Sequence, residues 1–234
     1  MVKRSSQIIN NMLIIKLWWS VFAPKNSTFF NWGYLVDFYK LLKGLGEDIF
    51  LIHWAGNVWH SFVREHWLNK ESYSLWRKWV RDNLFGPFSE IFPDFQRVEI
   101  EDIMKGTVDM TCWEGNFITG WDISTDYQII SGDDVFAFAM EKLWAHFGYM
   151  VTDVPWILDQ NGQTIPLIDT HSLGSVSFWK KEWDAQNSML TKVNALQSYL
   201  SQSRAKVWII DSIDLNNISH IIESNQGVWT CISF

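Results

Sequence analysis

The chain has few cysteines and few basic residues. Cys112 and Cys231 are the only cysteines among 234 residues, and they form no CxxC pattern. Two isolated cysteines exclude a disulfide-stapled scaffold and a cysteine-based zinc site, so we expect reduced thiols in a cytoplasmic protein. Lys and Arg number 19 against 26 Asp and Glu, which gives a formal net charge of -7. Phosphate neutralisation needs clustered Lys and Arg, so a strongly basic nucleic-acid-binding face is excluded.

Long apolar runs and common loop motifs are also absent. No run reaches the length of about 18 apolar residues that a transmembrane helix needs. The apolar stretch 12–19 follows Lys3 and Arg4 in the manner of a secretory signal. Asn10, Asn11 and Lys16 weaken that pattern, and we do not expect a signal peptide. The sequence contains no GxSxG, GxGxxG or Walker-type loop, so it offers no motif for a covalent hydrolase or a nucleotide-binding protein.

Aromatic residues are abundant instead: 16 Trp, 16 Phe and 6 Tyr. A hydrophobic content of 47% with 19% charged residues is typical of a folded globular chain. Trp144 and Trp208 lie in strongly apolar segments, and we expect both to be buried. Other tryptophans lie close together in a stretch that also contains Arg64, Lys78 and Arg81, from which we expect an exposed aromatic binding surface; a large core filled by Trp is the alternative. The residues of this predicted binding cluster are Trp54, Trp59, Trp67, Trp76 and Trp79.

Hydrophobic periodicity predicts a mixed α/β fold, with a helical, Trp-rich N-terminal half followed by a mixed sheet with flanking helices. We expect a helical region 1–95 and an α/β region 96–234 within one domain. The second region is predicted to contain an antiparallel meander at 97–130, a helix at 131–150 that Gly148 ends, a hairpin around Asn161-Gly162, a long helix at 178–203, and a strand, helix and strand at 206–211, 214–224 and 227–234. The last three elements suit a crossover between parallel strands.

Two local constellations have ordinary structural explanations. Ser131-Gly132-Asp133-Asp134 contains the Gly-Asp-Asp of viral RNA polymerases, in which paired carboxylates hold metals. A helix cap explains this segment better, with Ser131 as the N-cap residue. His53, His60 and His66 lie among tryptophans, but their spacing does not put all three on one helix face. We therefore predict ordinary hydrogen-bonded histidines there, not a metal site.

A third constellation combines acidic residues with a predicted hairpin. Glu141 lies on the helix, Asp153 begins the hairpin, and Asp169 and His171 share one face of the returning strand. The order of elements in 131–234 resembles the restriction-endonuclease-like superfamily of PD-(D/E)xK nucleases.

That resemblance implies a role for each of these residues. Asp153 and Asp169 would match the two acidic positions and bind Mg²⁺, and Glu141 would match the helical acid. His171 stands where the family has Lys, a departure for which Lys180 or Lys181 could supply a displaced cation. The structural alternative is that Asp153 and Asp169 are turn and strand-end residues without chemistry, and the sequence favours this alternative.

The sequence therefore favours a non-catalytic, cytoplasmic protein-interaction module. Its acidic charge and aromatic anchors suit a basic protein partner, as in an inhibitor or an immunity-type protein. No cofactor and no membrane association are expected. The alternative is a divergent or inactivated PD-(D/E)xK-like nuclease that uses Mg²⁺ and binds nucleic acid, and carbohydrate binding through surface Trp is a third option. Whether the chain is an enzyme stays open at this point.

Overall fold

The structure of the chain is a computed structural model. It describes residues 12–22, 30–53, 86–99, 105, 115–120, 132–153, 157, 159, 163–169, 172, 193, 196–197, 199–212, 214–224 and 229–234. No helix in these ranges is long and apolar enough to cross a membrane.

One sheet of eight strands organises the described residues. The strands follow the order β3-β4-β2-β1-β5-β7-β8-β6. Six of them run parallel, whereas β8 is antiparallel to β7 and β6 is parallel to β8. Their bounds are β1 Leu13–Leu17, β2 Ile49–His53, β3 Phe95–Arg97, β4 Asn116–Gly120, β5 Phe147–Thr152, β6 Leu167–Ile168, β7 Lys206–Asp211 and β8 Trp229–Ile232.

Five helices with defined bounds accompany the sheet in the described ranges. They are α1 Trp19–Phe22, α2 Trp32–Leu45, α3 Gly86–Ile91, α4 Gly132–Lys142 and α5 Leu215–Ser224. Asn31 caps α2 by accepting a hydrogen bond from the Tyr34 N–H at 3.1 Å, and Gly46 ends it in the left-handed conformation. Leu35, Phe38 and Leu42 form the buried stripe of this helix.

The core lies on both faces of the central strands. All five residues of β1 and all five of β2 are buried, as expected for parallel strands covered on both sides. Gly148 of β5 lets α4 approach the sheet closely, because a Cβ at this position would lie 2.7 Å from both the Met140 Sδ and the Phe136 Cζ. On the other face, the ring of Trp208 stacks on Tyr149 with centroids 5.3 Å apart.

The sequence-based assignment agrees with the structure in class and in part of its detail. The mixed α/β class with flanking helices is confirmed, and the predicted strand 206–211 coincides with β7. The predicted helix 214–224 and strand 227–234 match α5 and β8 within a few residues. The backbone hydrogen bond from the Ile165 N–H to the Ile157 carbonyl at 2.8 Å agrees with the predicted hairpin.

Other assignments differ from the structure. The region 1–95 contributes two central strands, because short apolar runs such as those of β1 and β2 carry no periodicity that separates a strand from a buried helix. The predicted meander contributes β4, which pairs in parallel with β3. The predicted helix 131–150 ends at Lys142, and its last residues belong to β5. The crossover expected at the C-terminus is wrong, since β7 and β8 are antiparallel.

The two tryptophans expected in the core have different environments. Trp208 is buried, with 3% of its surface exposed. Trp144 is 65% exposed and has a positive φ of 52°. The helix ends just before Trp144, and the turn toward β5 directs its side chain to solvent, so its apolar sequence neighbours do not enclose it.

Candidate functional site

Polar side chains lie at the carboxyl ends of the parallel strands, along the edge of the sheet at which these strands end. From β1 the chain proceeds to β2 on one side, whereas from β5 it proceeds to strands on the other side. The sheet therefore has a topological switch point between β1 and β5. In open α/β sheets, ligands bind outside the carboxyl ends of strands at such a point. We call this region the switch-point edge.

Lys16, next to the last residue of β1, provides the cation at the switch-point edge. Its ammonium donates to the Asp133 Oδ1 at 2.5 Å, and the two side chains are only 5% and 6% exposed. A buried lysine needs such a partner, because an unpaired charge away from water is costly. The interaction joins the centre of the sheet to the first turn of α4.

Gly132, the first residue of α4, lies directly against this lysine. A Cβ at Gly132 would be 3.2 Å from the Lys16 Cε and 3.4 Å from its Nζ. The first N–H groups of a helix have no partner within the helix, and together with the helix dipole they favour an anion. Lys16 and the start of α4 thus place a cation and a positive helix end side by side, which is an arrangement that suits a phosphate group.

Two further residues follow Lys16 at this edge. Trp18 places the centroid of an indole ring 4.3 Å from the Lys16 Nζ, within the range of a cation–π interaction. The Ser20 hydroxyl is buried and has no hydrogen-bond partner among the described residues. A buried hydroxyl without a partner is rare in native structures and is the kind of group that a ligand satisfies.

A small pocket lies at the ends of β2, β3 and β4. His53, Arg97 and Gly120 line it from these strands, and Phe88 and Ser89 line it from α3. His53 stacks on the Phe88 ring with centroids 3.8 Å apart. Burial, with a smaller contribution from the positive charge of Arg97, lowers the pKa of His53 from its usual 6.5 to about 3. His53 is therefore neutral at pH 7. Lys16 and His53 lie on opposite faces of the sheet, because Lys16 contacts α4 whereas His53 contacts α3.

Acidic and hydroxyl groups end the strands on the other side of the switch point. Asp153 follows β5 and is exposed, and Asp211 ends β7 beside it, since Thr152 and Asp211 are register partners.

Tyr34, in the first turn of α2, has a buried hydroxyl. Burial, and secondly the negative charge of Asp211, raises the pKa of Tyr34 above its usual range. The described residues contain no group of three His, Cys, Asp or Glu side chains that could hold a metal ion by themselves.

The structure does not bring the acidic residues of the predicted nuclease site together. Asp153 lies at the carboxyl end of β5, whereas Asp169 follows β6, which runs antiparallel to β5 and is separated from it by β7 and β8. The two residues are therefore at opposite edges of the sheet. Asp169 instead accepts hydrogen bonds from the N–H and the hydroxyl of Ser172 at 2.7 and 2.8 Å. Glu141 is exposed near the end of α4, 3.6 Å from the Lys142 ammonium.

The remaining predicted site residues lie outside the described residues. These are His171, the displaced cations Lys180 and Lys181, the capping Ser131, and the binding cluster Trp54, Trp59, Trp67, Trp76 and Trp79.

Comparison with solved structures identifies the fold. The chain superposes on an isopentenyl phosphate kinase substrate complex with a TM-score of 0.72 at 19% identity, covering 95% of this chain and 99% of that one. The product complex of the T. acidophilum isopentenyl phosphate kinase gives a TM-score of 0.70 at 19% identity, covering 94% and 99%. UMP kinase from Ureaplasma parvum gives 0.65 at 12% identity, covering 98% and 99%. The chain has the amino acid kinase fold. No protein-family model and no curated protein sequence matches it.

This fold corrects the sequence-based interpretation. The resemblance to PD-(D/E)xK nucleases is wrong, because it depended on the order of short elements, and the same order occurs here in a mostly parallel sheet of kinase type. The non-catalytic interaction module and the nuclease alternative are both contradicted by neighbours that are kinases. The expected basic protein partner is contradicted as well, since these neighbours act on small molecules.

Sequence reasoning did not find Lys16 and Asp133. Lys16 counted as an interruption of an apolar run, and Asp133 as part of a helix cap. A usable signal was present, because a lysine near the end of an apolar run of strand length is unusual. The sequence separation of 117 between the two partners made their interaction invisible to local patterns.

Proposed function

We propose that this protein transfers a phosphoryl group from a nucleoside triphosphate to a small-molecule acceptor at the switch-point edge. The observation that carries the proposal is the buried Lys16–Asp133 pair at the N-terminus of α4. A fold alone does not imply a function, so the kinase neighbours support the proposal only together with this site.

The chemistry of the site agrees with phosphoryl transfer. An acceptor oxygen forms a bond to phosphorus while the bond to the nucleoside diphosphate oxygen breaks, and the protein chiefly positions the groups and stabilises their charge. The Lys16 ammonium and the α4 amides can stabilise the charge on the phosphate oxygens. Asp133 holds the lysine in place. The close approach at Gly132 and the buried Ser20 hydroxyl fit a bound phosphate at this position.

A divalent cation normally accompanies a nucleoside triphosphate in this reaction. Mg²⁺ is commonly bound by one or two carboxylates together with the substrate's own phosphates. Asp153, beside Asp211 at the carboxyl end of the sheet, is the carboxylate that we propose for this role. The expectation of Mg²⁺ binding by Asp153 thus continues as a proposal, in a kinase site. A reduced, buried Cys231 and a nucleotide donor also fit the cytoplasm, which we propose as the location.

The test measures nucleotide binding by calorimetry and ADP release with MgATP and a panel of small phosphorylated, hydroxylated and carboxylated acceptors. The double variant Lys16→Met/Asp133→Leu removes both charges together, so neither charge stays buried after the other has been removed. We expect this variant to lose about 100-fold or more of the transfer rate, as when a charge-stabilising donor is removed.

Lys142→Met is the matched control, because Lys142 is an exposed lysine at the far end of the same helix. It should transfer at the rate of the unmodified protein. The proposal would be overturned by a folded protein that neither binds nucleotide nor releases ADP with any acceptor. Full activity in the double variant would also overturn it.

A further inference from the structure

Trp18 is placed so that its backbone is fixed while its side chain lies over the lysine. Its N–H donates to the Val151 carbonyl at 2.8 Å, which extends the pairing of β1 with β5 by one residue. Residues two apart on a strand share a face, so Trp18 and Lys16 project to the same side of the sheet. The ring centroid is 4.3 Å from the Lys16 Nζ.

Among the described residues, three groups lie next to the ammonium. Asp133 accepts a hydrogen bond, the Gly132 backbone lies close by, and the indole face covers a further side. Lys16 and Asp133 are buried, whereas Trp18 is only half-buried and so reaches solvent. A phosphate oxygen that binds the ammonium must come within about 2.7–2.9 Å of it. The indole ring, with its centroid 4.3 Å from the Nζ, occupies one side from which a ligand could approach the ammonium.

We propose that the Trp18 indole is a gate over Lys16, and that an anion binds the ammonium only after the ring rotates away. This inference rests on the proposed function, because it assigns Lys16 as the phosphate-binding group. A side-chain rotation suffices for opening, since the backbone hydrogen bond to Val151 keeps the main chain in place. The apparent affinity for phosphates is then the affinity of the open site multiplied by the fraction of molecules in which the gate is open.

The gate has a specific functional consequence. A ligand that makes enough contacts elsewhere at the switch-point edge can displace the indole, whereas free phosphate gains too little from Lys16 alone. Trp18 therefore selects for larger phosphorylated ligands and protects the lysine from small anions. The cation–π contact contributes a moderate part of the cost of opening, about 2 kcal/mol for a desolvated lysine over Trp or about 30-fold in an equilibrium, and the packing of the ring against the core adds to this cost.

The test is a calorimetric titration of the full chain with inorganic pyrophosphate, which has no base or sugar to stack on an aromatic ring. We expect Trp18→Ala to bind pyrophosphate about 10-fold more tightly than the unmodified protein. Trp18→Phe keeps an aromatic face of smaller area and should lie between the two. Trp144→Ala is the matched control, because Trp144 lies exposed at the opposite edge of the sheet and should leave the affinity unchanged.

Each outcome decides the proposal. Equal or weaker binding by Trp18→Ala, or by Trp18→Phe if the alanine variant does not fold, overturns the gate. If Lys16→Met/Asp133→Leu then abolishes pyrophosphate binding, the result supports the phosphate site at Lys16 even though the gate is overturned. Absence of pyrophosphate binding in every variant overturns both the site and the gate. As a second readout, the indole ¹H–¹⁵N signal of Trp18, assigned from its loss in Trp18→Phe, should shift when pyrophosphate binds the unmodified protein.

Discussion

The ammonium of Lys16 donates to a carboxylate oxygen of Asp133 at 2.5 Å, across 117 residues of sequence and away from solvent. Such a pair contributes little net stability, because the desolvation of both charges offsets most of their attraction. Breaking it is costly, since the remaining buried charge then loses the opposite charge beside it. The pair therefore holds the Lys16 ammonium at a fixed position, whereas two apolar side chains in its place would supply no positive charge.

The first prediction concerns this asymmetry. Lys16→Met should lower the free energy of unfolding by about 3–5 kcal/mol, because the buried Asp133 carboxylate loses the positive charge of the lysine. Lys16→Met/Asp133→Leu should recover most of that loss. Denaturant unfolding monitored by circular dichroism measures both values. Equal destabilisation of the single and double variants would mean that Lys16 acts through packing and not through its charge.

A second prediction concerns the stacked pair of Trp208 and Tyr149. Trp208→Ala should destabilise the protein by about 3–5 kcal/mol, since it removes a large buried ring from between β5 and β8. Thermal or denaturant unfolding reports the change. A variant with unaltered stability would contradict the position of β7 in the sheet.

A third prediction concerns Trp144, whose backbone is in the left-handed region with a φ of 52°. For a bulky residue this conformation costs about 1–2 kcal/mol, whereas glycine adopts it without a steric penalty. Because the side chain is exposed, its removal loses little packing. Trp144→Gly should therefore raise the free energy of unfolding by about 1 kcal/mol. A lower unfolding midpoint for this variant would show that the indole makes a stabilising contact.

Two glycines provide a fourth, paired prediction. Gly148→Ala should destabilise the fold by about 1–3 kcal/mol, because the new methyl group would overlap the Met140 Sδ and the Phe136 Cζ. Gly44→Ala should stabilise it by about 0.5–1 kcal/mol, since Gly44 lies within α2 and a Cβ there meets nothing within 4 Å. Opposite signs in denaturant unfolding confirm the close approach of α4 to the sheet, and equal effects exclude it.

The fifth prediction is a pH dependence that originates at His53. The pKa of His53 is about 3 in the folded protein and 6.5 in an exposed chain. Between these two pH values the unfolded state binds a proton that the folded state does not bind. This contribution to stability is complete above pH 6.5 and is lost as the pH falls toward 3. The slope is at most about 1.4 kcal/mol per pH unit.

The window between pH 6.5 and about 5 separates this effect from most carboxylates, which titrate at lower pH. His53→Phe keeps the stack on Phe88 and should make stability flatter with pH in that window. Unfolding curves at several pH values supply the slopes. A slope that is identical in both proteins would assign the effect to another group.

The sequence was sufficient for the class of the fold and for its C-terminal elements. β7 and α5 lie where the sequence predicts a strand at 206–211 and a helix at 214–224, and the amphipathic pattern of α5 is clear. β1 and β2 were missed because five buried residues in a row show no alternation. The candidate site was missed for a different reason: its lysine and its aspartate are adjacent only after the sheet has formed.

The central position of β1 has a consequence for how the chain is made. One edge of this strand pairs with β2, but its other edge can form its hydrogen bonds only after β5, which begins at Phe147, has been synthesised. Until that segment leaves the ribosome, β1 presents unpaired backbone groups within an apolar strand, which is a template for association with another chain. A nascent or truncated chain that ends before β5 should therefore need chaperone protection, and the sheet can close only late in synthesis.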